Sequence, residues 1–190
     1  MELYIRIIEI VDANLMYCLI PIILTLMFVE LILKNRFETK KALNLIRWTI
    51  IIYTVVAFIF YLIGMAINPD GYAFINRATG PYAWAYWVLF LSALILPLTL
   101  FIKKAASKFW YVLLVAFGMK SGMYLERFVI ITTSFHRDHQ TEKGNAGLME
   151  SISFGIGMLF LQGIIITMLT LGIFEISKRK KTGYNSVCEK

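Results

Sequence analysis

Five apolar runs, near residues 15–33, 48–67, 84–102, 110–134 and 152–176, are each long enough to cross a bilayer as a helix. At 1.5 Å per residue, about 20 residues cover the roughly 30 Å of hydrocarbon. No water is available there to bond an open backbone, so only helices and closed barrels can cross. A barrel needs alternating segments of roughly ten residues in even number, and the runs here are continuous. The sequence therefore predicts an all-α integral membrane bundle of about five transmembrane helices. With 59% hydrophobic and 16% charged residues and a mean hydropathy of +0.71, a soluble globular domain is excluded.

The four tryptophans mark depth, because indole prefers the headgroup boundary. Trp48 opens the second run, Trp84 and Trp87 the third, and Trp110 the fourth. Basic residues outside the runs set orientation. Arg6, Arg77, Arg137 and Lys143 fall on one side; the other side carries Lys34, Arg36, Lys40, Lys41, Arg47, Lys103, Lys104, Lys108, Lys178, Arg179, Lys180, Lys181 and Lys190. Positive charge favours the cytoplasmic side, so the N-terminus is expected outside and the C-terminus inside. The net charge of +7 is a topology signal, and no nucleic-acid partner is expected, since the basic clusters all flank apolar spans.

Residues 1–14 place Glu2, Arg6, Glu9 and Asp12 at helical spacing among Leu3, Ile5, Ile7, Ile8, Ile10 and Val11. That stripe fits an amphipathic interfacial helix or, equally, an extension of the first span. No small-residue cleavage site follows, which argues against a secretory signal. Residues 15–177 form the bundle and 178–190 a basic cytoplasmic tail. Cys18 and Cys188 are expected to be separate thiols. His136 and His139 share one loop, so no transmembrane histidine pair is available to hold haem, and no metal site is expected.

The fourth run carries Lys120, Glu126 and Arg127 inside a segment that otherwise reads as membrane-spanning. Charges at that depth are paired, wet or functional. Lys120, Tyr124, Arg127 and Ile131 share a helix face, with Glu126 about 100° away. Of the other acids within the runs, Glu30 lies one turn from Lys34, and Glu175 lies close to Lys178 and Arg179. Glu126 and Arg127 are expected to pair with other helices or another subunit, and the acidic partner that Lys120 and Arg127 need is expected to come from another protein. Glu30, Lys120, Tyr124 and Glu126 are candidates for a polar proton path. Tyr82, Trp84, Tyr86 and Trp87 gather at one interface, as an aromatic belt or as the flank of a ligand entering from the bilayer. Pro97, inside the third run, is expected to kink its helix.

Two blocks resemble a known family: Gly80-Pro81-Tyr82-Ala83-Trp84-Ala85-Tyr86-Trp87, and the stretch from Gly122-Met123-Tyr124-Leu125-Glu126-Arg127 through Thr132-Thr133-Ser134-Phe135-His136-Arg137-Asp138. They are similar to the NrfD/polysulfide-reductase-type membrane subunits, most closely those of bacterial alternative complex III. The resemblance covers residues 80–138, in a chain about half the usual family length. It implies a membrane subunit of a respiratory quinol-oxidising complex in the bacterial inner membrane, without a covalently bound redox cofactor of its own. A quinone pocket near the outer surface and a proton path across the bundle follow from it. His136 and Asp138 then become candidate acceptors of quinol protons, with Arg127 beside them. Expected partners are a full-length subunit of the same type or a second half-length chain, together with outer-face subunits carrying haem or iron-sulfur clusters. Two other functions stay open: a structural or assembly subunit without its own active site, and a small independent transporter or channel.

Overall fold

The computed structural model describes the backbone of residues 6–7, 10–33, 36–67, 74–81, 83–137 and 142–188. Side chains are described throughout these except at 13, 74, 76–77, 123, 126–127, 130–131, 134–137, 142–153 and 180–188. The helices are α1 (Leu19–Leu33), α2 (Thr39–Ile67), α3 (Phe74–Thr79), α4 (Ala83–Leu98), α5 (Lys103–Ala106), α6 (Phe109–Arg137) and α7 (Glu142–Cys188). Ahead of α1, Asp12–Met16 winds as a π-turn, and a 3-10 turn at Thr99–Phe101 ends α4. No strand occurs among the described residues. The fold is an all-α membrane bundle.

Four helical stretches are long and apolar enough to cross a membrane: Asn14–Leu33, Thr39–Ile67, Ala83–Phe101 and Phe154–Arg179. The fifth expected run lies in α6, where the described residues give the shorter apolar stretch Phe109–Gly122, with Lys120 inside it. The long helices alternate in direction, so α5 and the start of α2 lie at one end of the bundle and α3 at the other. The helices overrun their apolar runs because lysine, arginine and asparagine do not stop a helix whose inner face still packs. On α2 that face begins with Ala42, Leu43 and Ile46, all buried. Pro97 lies in the last turn of α4: with no N–H to donate, it precedes tightening into the 3-10 turn and an extended Ile102.

Helix α1 lies at the centre and touches α2, α6 and α7. Its Leu19, Ile22, Ile23 and Leu26 are buried together with Ile50 and Ile51 of α2, Val112, Val115 and Ala116 of α6, and Leu171 of α7. Lipid is as apolar as leucine, so helices in a bilayer associate through close packing and polar links. Both are present. A Cβ on Gly163 of α7 would lie 2.5 Å from Pro21 Cβ and 3.2 Å from the Ile22 nitrogen. At the α4–α6 contact, Ser92 Oγ lies 3.3 Å from both the Gly118 carbonyl and Ser121 Oγ. The opposite face of α4 turns Trp84, Val88, Leu91 and Ile95 outward at helical spacing, a lipid-facing stripe.

Candidate functional site

One charged centre lies inside the bundle. Lys120 sits eleven residues beyond the start of α6 at Phe109, about 16 Å along the axis. It is 8% exposed, and its Nζ forms an ion pair with Asp12 Oδ1. Tyr53 of α2 donates its hydroxyl to the same oxygen at 2.7 Å. The ammonium also lies 4.8 Å from the Tyr17 ring centroid and 5.8 Å from that of Tyr53, so two aromatic faces share its charge. Beside it, Thr54 donates to the Ile50 carbonyl at 2.9 Å and approaches Met119 Sδ at 3.7 Å.

The π-turn explains how Asp12 reaches inward. The Tyr17 N–H donates to the Asp12 carbonyl at 3.0 Å, closing the wider ring of a π-helix, a distortion that recurs at functional sites. Asn14 holds this turn from both directions: its Nδ2 donates to the Ile10 carbonyl at 2.8 Å, and Gln162 Nε2 of α7 donates to the Asn14 carbonyl at 3.0 Å. The carboxylate, the lysine and the tyrosine thus come from three separate segments, with α7 fastening the first. Tyr53 also walls a mainly apolar groove of about 410 Å³, together with Val11, Met16, Ile52, Val56 and Phe60. The Tyr53 side chain thus stands between an apolar groove and the Asp12–Lys120 pair.

These positions correct one expectation. Lys120 finds its acid on its own chain, because the segment before α1 continues into the bundle and turns Asp12 toward α6. Asp12, Tyr53, Tyr17 and Gln162 were missed by the sequence reading; an unmatched acid heading the first span was the available signal for Asp12. Glu30 accepts from the Thr39 hydroxyl at the start of α2, while Lys34 lies outside the described residues. Glu175 pairs with Arg179 at 3.4 Å, as its spacing suggested.

The other described candidates make contacts of their own. Tyr124 stacks on Phe117 with centroids 5.6 Å apart. The aromatic group divides: Trp84 faces outward, whereas Tyr86 stacks on Phe90 at 5.9 Å and its hydroxyl lies 3.1 Å from that of Tyr61. Trp87 Nε1 donates to the Ala78 carbonyl of α3 at 3.2 Å. Glu126, Arg127 and His136 occupy α6, but their side chains lie outside the described residues, as do Tyr82 and Asp138 altogether. Among the described residues, no group of three or more His, Cys, Asp or Glu could hold a metal ion.

Fold and site define the class, a multi-pass helical membrane protein with a buried charged centre. Comparison with protein-family models, curated proteins and solved structures gave no match.

Proposed function

We propose that this chain is a membrane subunit of a quinol-oxidising electron-transfer complex in a bacterial inner membrane, and that Asp12, Tyr53 and Lys120 belong to its proton path. The observation that carries the reading is the hydrogen-bonded Tyr53–Asp12–Lys120 centre, in which Lys120 is buried and its two partners are half-buried, within a bundle where ionisable groups normally mark a substrate or proton route. The resemblance across residues 80–138 supplies the redox context. Quinol oxidation releases two electrons and two protons; the electrons pass to haem or iron-sulfur partners. His136 and Asp138 are the proposed acceptors near the quinone, and Glu126 and Glu30 the further polar stations.

Purification from the native membrane in mild detergent, with partner identification and a quinol oxidation assay, tests this reading. Recovery with redox subunits and quinol activity supports it; a homo-oligomer without them overturns it. Within the recovered complex, Tyr53→Phe and Glu126→Gln are expected to slow turnover roughly tenfold or more while the subunit stays assembled.

A second reading, a structural or assembly subunit, is favoured by the closure of Asp12 and Lys120 on one another within the chain. Buried pairs fix packing in some proteins and not in others. Under this reading, Tyr53→Phe lowers the melting temperature and leaves turnover per assembled complex unchanged.

A further inference from the structure

We propose that the α5 end of the bundle carries a site for the phosphate of an anionic phospholipid headgroup, built by Arg47, Lys40 and Lys103. The site is independent of the quinol reading. A cavity of about 570 Å³ opens there, and its lining includes these three cations and no acid. Arg47 is the central feature. It is only 7% exposed, and its Nε has no hydrogen-bond partner among the described residues. A cation withdrawn from water with an unmatched donor is costly unless an anion completes it. The planar guanidinium fork suits a phosphate, to which it can donate two parallel bonds. Asn44 and Ser107, also in the lining, add neutral donors to the cavity wall.

Two described carboxylates at this end have partners of their own. Glu38 pairs with Lys41 at 3.2 Å and with Lys178 at 3.8 Å, and Glu30 takes the Thr39 hydroxyl. Glu175 keeps a buried oxygen unpartnered, but it is not among the residues lining the cavity.

The rim favours a lipid over a free phosphate. Trp48 lies under the Arg47 guanidinium, 5.3 Å from ring centroid to Cζ, and meets Phe101 edge to face at 6.2 Å. Trp48, Phe101 and Ile102 are all exposed beside the cations. Acyl chains would cover these apolar groups, whereas a soluble phosphate gains nothing from them. Basic pockets between transmembrane helices are a recurring form of headgroup recognition.

The test uses the full chain in neutral detergent, titrated with phosphatidylglycerol or phosphatidylcholine of identical acyl chains and read by native mass spectrometry. Phosphatidylglycerol is expected to be retained preferentially. Lys40→Gln and Lys103→Gln, both at exposed positions, should each weaken its retention roughly fivefold, and Arg47→Gln should weaken it further. Lys41→Gln removes an equal charge outside the cavity and should change nothing. Equal retention of the two lipids overturns the proposal, as does a Lys41→Gln loss matching that of Lys103→Gln. Millimolar glycerol phosphate should not displace the lipid; displacement would assign the cavity to soluble phosphates and overturn the lipid site.

Discussion

At the scale of single residues, the Asp12–Lys120 pair dominates, because losing the half-buried Asp12 leaves the buried Lys120 charge without compensation. Asp12→Asn or Lys120→Met alone should destabilise the protein by about 3–5 kcal/mol. The double variant should lose less than the sum of the two. Thermal unfolding of all four proteins in one detergent gives the coupling, and additive losses would show that the pair does not act as a unit. Lys120 was legible in the sequence as a charge stranded in an apolar run. Its partner was not, because Asp12 reads as the last member of a polar stripe with Glu2, Arg6 and Glu9. Nothing local encodes a contact across 108 residues. Tyr53 was equally hidden, since pattern alone cannot select one of ten tyrosines as the one facing a carboxylate.

Among the elements, the contact between α1 and α7 turns on one missing side chain. Pro21 is held by its ring, so it cannot swing aside for a Cβ on Gly163, and the Ile22 backbone lies just behind it. Gly163→Ala should cost about 1–3 kcal/mol as the helices are forced apart. Gly122→Ala makes the useful contrast: among the described residues nothing beyond its own helix backbone lies within 4 Å of the added Cβ, so higher helix propensity should leave stability unchanged or raise it by up to about 1 kcal/mol. Melting temperatures of the two variants check both expectations, and equal losses would mean that close approach is not what Gly163 provides. The helices themselves were legible as apolar runs. Their ends were not: α2 starts at Thr39, nine residues before the expected 48, because a helix ends where capping and packing fail rather than where hydropathy falls. The short α3 and α5 escaped notice for the same reason.

For the whole molecule, the basic residues argue for one orientation, with the α5 end in the cytoplasm. Single cysteines at Asp70 and Asn145 should react with an impermeant label applied to intact cells, and one at Lys180 should react only after lysis. The reverse pattern would invert the molecule and place the proposed lipid site in the outer leaflet. The fold class was legible because hydrocarbon leaves so few options, whereas the charged centre depends on which helices lie side by side. Its composition also constrains how the protein is made. A ribosome adding about 5–20 residues per second delivers Lys120 roughly 5–20 s after Asp12. For that interval the first segment has its carboxylate but not the lysine that neutralises it, so the mature seating of the chain's beginning awaits synthesis of its fourth long helix.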